Sequence, residues 1–431
     1  MLNKKELIIK SYNNGYLLYN PYTDVIVYSD TLSPSLETVE YYKNIGLLFD
    51  KSVDPSAIAR FIINSCKSTD TLQLTEAFSY SCNLKCVYCI QQNIKEKPVL
   101  MSPKKRVEEW KQLMNLHNTS KLNVCLFGGE PFFNIRYLSE VLELANKEIG
   151  DIAYTAITNA TLIDHRVIDL INTYSIQKLQ ITLDGLEDTH NKRRVNNNIN
   201  CFRDIINNIH KILQETSCAI ILNSVIDTEN FDEINQMTDY MIDNFSEYIL
   251  SEKPRMIFNY GMECHPFGKS SYTEKHIPEL KKYNLKFLEL LKKQILKGVA
   301  TTEIMPTPIC IAKDPNDVLI APSGDIYKCI SGLDVPEFKI ASYDDLFNKP
   351  FQYFEKVISF SYRNYPSCNT CKYFSLCDGG CYYQAALDGV QQNCQKSLFD
   401  AQMDILIELR YITEEIESGV FRIHDYNNTN R

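Results

Sequence analysis

Seven cysteines late in this 431-residue chain stand at set intervals. Cys310 is followed after thirteen residues by Gly324, and after four more by Cys329; a gap leads to Cys368-x2-Cys371-x5-Cys377-x3-Cys381, and another to Cys394. The segment that carries them, residues 301–394, has few long periodic runs and is rich in Cys, Gly, Pro and Tyr. Such a stretch cannot bury enough apolar surface by itself, so its fold leans on metal. A zinc ribbon is the plain alternative, but seven ligands do not divide into tetrahedral fours. Three more cysteines, Cys82, Cys86 and Cys89, lie in SYSCNLKCVYCIQQ, directly after a predicted strand. Thiolates at that spacing can hold three irons of a cubane and leave the fourth without a protein ligand. On spacing alone, a zinc site with a missing ligand or a chance cluster stays open. The chain start, MLNKKELIIKSYNNGYLLYN, has charges but no apolar signal core, so the fifteen cysteines are expected in a reducing, cytoplasmic setting.

The rest of the chain reads as ordinary globular sequence. Apolar residues make up 44% and charged residues 23%. A net charge of −9 argues against a general nucleic-acid or anionic-membrane binder, and no apolar run is long enough to cross a membrane. Residues 1–71 read as a small α+β module, with short strands around turn signals and then helices near 35–47 and 54–66. From 72 to 300 strands and helices alternate in six units, beginning with TLQLTEAFSY and a helix that starts at Ser102-Pro103. Six such units predict an α/β fold, a partial (β/α)6 barrel with its site at the C-terminal strand ends. Residues 395–431 read as one helix and a polar tail.

The first cysteine triad resembles the signature of the radical S-adenosylmethionine superfamily, CxxxCxxC with an aromatic, here Tyr88, before the third cysteine. The resemblance implies a [4Fe–4S] cluster on Cys82, Cys86 and Cys89, with S-adenosylmethionine on its open iron and Tyr88 beside the adenine. It extends to later strand ends. Gly128-Gly129-Glu130 after the second strand corresponds to the segment that holds the methionine amino group, and Thr158-Asn159 to a polar pair near the ribose and carboxylate. Asp184-Gly185 ends the fourth strand. Arg194 stands where relatives pair an arginine with the cofactor carboxylate, and Val225 and Ile226 match apolar positions near the adenine. Bound there, the cofactor is reductively cleaved to a 5′-deoxyadenosyl radical that abstracts hydrogen.

The second array is similar to the seven-cysteine SPASM extension. By that resemblance Cys368, Cys371, Cys377 and Cys394 ligate an outer auxiliary [4Fe–4S] cluster, and Cys310, Cys329 and Cys381 hold an inner one, three clusters in all. The inner cluster then has an open iron, for a substrate thiolate or for a ligand such as Cys264, Asp314 or Asp317. Cys66, Cys125, Cys201 and Cys218 are left as small hydrophobes.

Most relatives of this architecture modify peptides. Anaerobic sulfatase maturases, which make formylglycine, carry an Asp directly after the Gx4C cysteine, where this chain has Ile330. Maturases of ribosomally made peptides carry an N-terminal module, often winged-helix-like, that grips a precursor's leader by adding a strand. The resemblance therefore implies an oxygen-sensitive peptide maturase that installs a crosslink, a thioether above others. Its partners would be a precursor peptide with its leader and a flavodoxin- or ferredoxin-type reductant. Other readings are a non-catalytic iron–sulfur electron carrier and a small-molecule dehydrogenase.

Overall fold

The computed structural model describes residues 7–49, 53–67, 70–91, 94, 100–196, 200–262, 277–302, 310–363 and 365–417. Cys264 and the polar tail from 418 lie outside the described residues. The chain divides into two compact units, one gathering residues 1–67, 267–310 and 363–431, the other residues 68–266 and 311–362.

The first unit opens with three antiparallel strands, β1 (Ile8–Tyr12), β2 (Gly15–Asn20) and β3 (Val25–Ser29), in that spatial order. Two helices follow, Leu36–Asn44, capped by the Ser35 hydroxyl on Thr38 N, and Pro55–Ser65, capped by Asp54 on Ser56 N. Leu18, Tyr42, Leu47 and Leu48 form a core between the sheet and the first helix. The long helix Lys396–Glu417 also joins this module. Its Glu408 bonds Lys10 of β1 and Lys292 of helix Ile277–Leu296, Arg410 reaches Asp24, and Tyr411 meets the Tyr12 ring edge-on. Helix Ile277–Leu296, read from sequence as the cover of the sixth strand, thus falls in the first unit. An apolar period tells a helix to bury one face but does not name the partner.

The second unit is built on one nine-stranded sheet. Its strands are β4 (Thr71–Ala77), β6 (Lys121–Phe127), β7 (Ile152–Thr158), β8 (Lys178–Thr182), β10 (Ala219–Ile226), β11 (Met256–Met262), β12 (Asp317–Ile320), β13 (Ile326–Tyr327) and β14 (Lys339–Ala341). A separate two-stranded ladder joins β5 (Lys85–Cys86) to β9 (Arg194–Val195). The spatial order β11-β10-β8-β7-β6-β4 makes six parallel neighbours, the (β/α)6 part of the expectation. Along β6, Leu122, Val124 and Leu126 are buried while Asn123, Cys125 and Phe127 take the other face, the period of two that a half-covered strand requires.

The sheet does not stop at β4. β12 pairs with it in parallel, and β13 and β14 follow antiparallel. Residues 311–362, placed by sequence in a separate cysteine-rich region, therefore fold with the barrel strands, because Val318, Leu319 and Ile320 are fully buried beside β4. A buried charge cluster fastens the joint. Arg106 on helix Pro103–His117 donates to the carbonyls of Ala321 and Pro322 at 3.1 and 3.0 Å. It also pairs with Glu76 of β4 and with Glu109. Trp110 Nε1 donates to Glu76 at 2.8 Å. One guanidinium serves two carboxylates away from water, so burial raises both acids: Glu76 to about 7, and Glu109 well above the usual range.

Glu76 gives a test of this joint. Its folded pKa lies above the unfolded value, so the folded state keeps a proton that the unfolded chain releases. That contribution is full below pH 4.5 and is lost as pH rises toward 7. Glu76→Gln cannot titrate. Over that interval urea unfolding should show wild type losing up to roughly 3 kcal/mol more than the variant; parallel curves would place the proton elsewhere.

Candidate functional site

The loop after β4 has almost no regular structure of its own, and its shape is imposed from outside. Gly129 N donates to Ser79 O at 2.7 Å and Glu130 N to Ser81 O at 3.0 Å. A Cβ on Gly128 would stand 2.3 Å from Ser79 O, and one on Gly129 2.3 Å from Ser81 O. The resemblance makes these glycines part of the segment that holds the methionine amino group. The structure gives them a different necessity: the cysteine loop's own backbone lies against them. They also line the cavity, so both demands meet at one turn.

Further along, the loop is tied to the next strand ends. Asn83 Nδ2 donates to Thr161 Oγ1 at 2.7 Å, and Asn159 Nδ2 donates to Asn83 Oδ1 at 2.9 Å. The β5–β9 ladder sets Cys86 opposite Arg194, and Val87 N donates to Arg193 O at 2.9 Å. Tyr88 is held on three sides. Its hydroxyl donates to Asp184 Oδ2, Arg194 Nη1 donates to that hydroxyl at 2.8 Å, and the Arg193 guanidinium lies 5.1 Å from the ring centre. Arg193 in turn pairs with Asp227 at 2.5 Å.

Cys82, Cys86 and Cys89 line a cavity of about 840 Å³. Burial pushes the Cys86 thiol up to about 11 and raises that of Cys82, with smaller contributions from their fellow thiols, so the three converge. Among the described residues no three His, Cys, Asp or Glu side chains are grouped to hold a single metal ion. The donor set suits a polynuclear cluster: three soft thiols around open space, with Arg194 beside Cys86 to balance negative charge. The wall continues through Phe127, Gly128 and Gly129, Ile157 to Asn159, Gln180 and Thr182, and Asn223 and Val225, the ends of β6 and β7 and alternate positions on β8 and β10.

Eight residues were singled out as cofactor contacts. Tyr88, Gly128, Gly129, Asn159, Arg194 and Val225 stand in this wall, while Glu130 and Asp184 do not. Both carboxylates are buried behind it and occupied by the fold. Glu130 accepts from Thr158 Oγ1 and Asn159 N, each at 2.7 Å, and caps the short helix Pro131–Asn134 through Phe132 N at 3.2 Å. Asp184 accepts from Val225 N at 2.9 Å and from Tyr88. His190 Nδ1 accepts from Asp184 N, and burial lowers this ring to about 3, so it is neutral. Burial raises the Glu130 and Asp184 carboxyls, opposed by these hydrogen bonds. The sequence reading passed over Gln91, Arg193, Gln180 and Asn223. Alternation along the strands carried the signal for the last two.

Three cysteines of the second array, Cys368, Cys371 and Cys394, lie near one another within the first unit. Cys371 N donates to Cys368 O at 3.0 Å, and Gln392 Nε2 donates to Cys368 Sγ at 2.9 Å. Burial raises the Cys368 thiol, and Cys371 and Cys394 add to it. Cys377 ends the turn Phe374–Cys377. Gly380, at φ +89°, lies so close to Asn393 O that a Cβ would stand 1.8 Å from it, which brings the chain after Cys377 beside Cys394. Cys381 caps helix Tyr382–Leu387 through Gln384 N. Cys310 and Cys381 belong to this first unit and Cys329 to the barrel unit. Around Asp314 and Asp317, named as possible inner ligands, Lys328 Nζ donates to both backbone carbonyls at 2.5 Å, Asp314 Oδ1 accepts from Asn316 N at 2.9 Å, and burial, countered by Lys328, raises the Asp317 carboxyl to about 7. Cys201 and Cys218 are buried as expected, Cys125 is partly buried, and Cys66 is exposed.

Residues 77–241 match the model of the Radical SAM superfamily, and this segment belongs to that superfamily. Among characterised sequences the chain is similar to the radical SAM cyclopropyl synthase TigE of Paramaledivibacter caminithermalis, 25% identical over 189 residues, 40% of this chain and 39% of that one. An uncharacterized protein of Methanocaldococcus jannaschii is 28% identical over 163 residues, 37% of this chain and 55% of the other. The matched segment therefore spans about half or less of these relatives. Two solved structures share the fold. The first is anSMEcpe with bound AdoMet, with a TM-score of 0.61 at 17% identity, covering 79% of this chain and 99% of that one. The second is Streptococcus suis SuiB bound to precursor peptide SuiA, with a TM-score of 0.54 at 17% identity, covering 92% and 98%.

Gly129→Ala isolates the docking of the cysteine loop, since this φ needs no glycine and what stands in the way is the loop's own backbone, the Ser81 and Tyr80 carbonyls. The expected result is a loss of about 1–3 kcal/mol in urea unfolding and faster alkylation of Cys82, Cys86 and Cys89 in the metal-free protein. Unchanged alkylation would show that the loop holds its shape without this contact.

Proposed function

We propose that this protein is a radical S-adenosylmethionine enzyme that modifies a peptide. The observation that carries the proposal is the CxxxCxxC loop, tied to successive strand ends so that its three thiols face one cavity with Tyr88 and Arg194. A [4Fe–4S] cluster would sit on Cys82, Cys86 and Cys89, and with S-adenosylmethionine it would supply a 5′-deoxyadenosyl radical for hydrogen abstraction. The chain's own residues prepare the site. Asp184, Arg193 and Arg194 fix the Tyr88 ring against the wall, and the Arg194 cation offers a partner for a carboxylate. Glu130 ties the end of β6 to the end of β7, holding the turns that face the reacting groups.

The outer auxiliary cluster falls to Cys368, Cys371, Cys377 and Cys394, which the Gly380 turn gathers, and the inner one to Cys310, Cys329 and Cys381. The inner cluster would keep an open iron for a substrate thiolate or a further ligand, with a flavodoxin- or ferredoxin-type protein as the outside reductant. The substrate is a precursor peptide whose leader adds to an edge of the β1–β3 sheet. A peptide substrate is supported by the fold shared with SuiB, whose structure holds its precursor peptide. The product is a crosslink, a thioether first. TigE's name points to carbon–carbon ring closure as the competing outcome. Formylglycine formation is disfavoured because Ile330, at the place of the proton acceptor, presents an apolar side chain to the cavity.

Replacing Cys82, Cys86 or Cys89 with Ala should abolish 5′-deoxyadenosine formation under anaerobic, reducing conditions; persistent cleavage would sink the assignment. Cys368→Ala should instead lower iron content and loosen the C-terminal cysteine region while leaving some cofactor cleavage. Intact mass of a precursor peptide co-expressed anaerobically identifies the product. Loss of one H2 with a thiol no longer alkylatable means a thioether, and the same loss with every thiol reactive means a carbon–carbon or carbon–oxygen crosslink.

A further inference from the structure

The sulfurs of the two cysteine arrays are unequally provided with donors. Cys82 Sγ accepts from Leu84 N at 3.4 Å and from Asn159 Nδ2 at 3.7 Å, and Cys381 Sγ from Gln384 N at 3.5 Å. Cys368 Sγ accepts from Gln392 Nε2 at 2.9 Å, the closest of these four contacts. The donor is a side-chain amide brought in from 24 positions along the chain, two residues before Cys394.

Its orientation is fixed by a second bond. Ser367 Oγ donates to Gln392 Oε1 at 3.0 Å, which holds the oxygen end of the amide and turns the NH2 end to the sulfur. The reversed amide would set a carbonyl against a thiolate. Ser367 and Cys368 are neighbours, so one amide grips both side chains. The backbone that carries it is held as well: Tyr365 Oη donates to the Gln391 carbonyl at 3.1 Å, and the Asn393 carbonyl lies against Gly380. Cys368 is only 9% exposed, so water is a poor substitute for this donor.

An N–H aimed at a ligand sulfur stabilises whichever state of a cluster carries more negative charge. Reduction adds one electron and part of that charge reaches the thiolates, so such a donor favours the reduced state and raises the potential. Low local dielectric strengthens the effect. We propose that Gln392, held by Ser367, acts through the Cys368 thiolate to set the reduction potential of the outer auxiliary cluster above the value its cysteine ligands alone would give. This proposal rests on the assignment of Cys368, Cys371, Cys377 and Cys394 to that cluster.

A redox titration separates the two claims. The full chain is reconstituted anaerobically with iron and sulfide and titrated with dithionite, and the clusters are followed by electron paramagnetic resonance. The signal missing from Cys368→Ala is the outer cluster's. Gln392→Leu should favour the oxidised outer cluster about tenfold, a fall of about 59 mV for a one-electron couple, with iron content and the other potentials unchanged. Gln392→Glu keeps the length and shape of the side chain but puts a negative oxygen in the donor's place, so its potential should fall further. A merely structural tie predicts the reverse order, because Glu keeps the bond from Ser367 and Leu loses it. That order, or a wild-type potential in both variants at full iron content, would overturn the proposal. So would loss of the outer signal together with its iron, which would make the amide a requirement for assembly. If Cys368→Ala keeps every wild-type signal and all the iron, the outer-cluster assignment falls and this proposal falls with it.

Discussion

The site depends on a loop that cannot hold itself. Residues 79–91 carry three thiols through a stretch whose only regular structure is β5, two residues long. Its conformation comes from four outside anchors: the Gly128–Glu130 turn, the Asn159–Thr161 turn, Asp184 and the β9 strand. Because three of these anchors close different strands of one parallel sheet and the fourth is the separate β5–β9 ladder, register in the sheet becomes position in the loop. A shift at any of the three strand ends would move a thiol, and reactive geometry tolerates shifts of only about 1 Å.

The same economy explains the buried acids. Glu130 and Asp184 have the residue type and strand-end position of ligand contacts, yet each spends its oxygens on backbone N–H and hydroxyl groups of neighbouring elements. Carboxylates in low dielectric are stabilised by several short hydrogen bonds, and an acid so satisfied makes a rigid tie between strands. Glu76 and Glu109 do comparable work at the other edge, where Arg106 fastens β12 beside β4.

The first unit solves a different problem. Residues from both chain ends share it, with Glu408 bonded to Lys10 and Lys292, and Ser375 Oγ donating to the Pro21 carbonyl. The cysteine knot around Cys368 needs two adjacent glycines: a Cβ on Gly379 would strike the Tyr365 ring, and one on Gly380 the Asn393 carbonyl. The N-terminal strands and helices are built into the unit that carries the outer cysteines rather than hung on a linker.

Short-range signals were enough for much of this. The alternation of six strands with helices, the Ser102-Pro103 helix start and the cysteine spacings are local patterns, set by backbone period, capping and ligand reach, and they were readable in the chain. So was the family to which residues 77–241 belong. Partner choice was not readable. Helix Ile277–Leu296 lies with Lys396–Glu417, residues 311–362 extend the barrel's sheet, Gly128 and Gly129 make room for Ser79 and Ser81, and Glu130 turns away from the cavity. Each of these joins residues tens to hundreds of positions apart. A sequence states what a residue can bond or bury, but only the folded chain decides which of several chemically equivalent partners comes within reach.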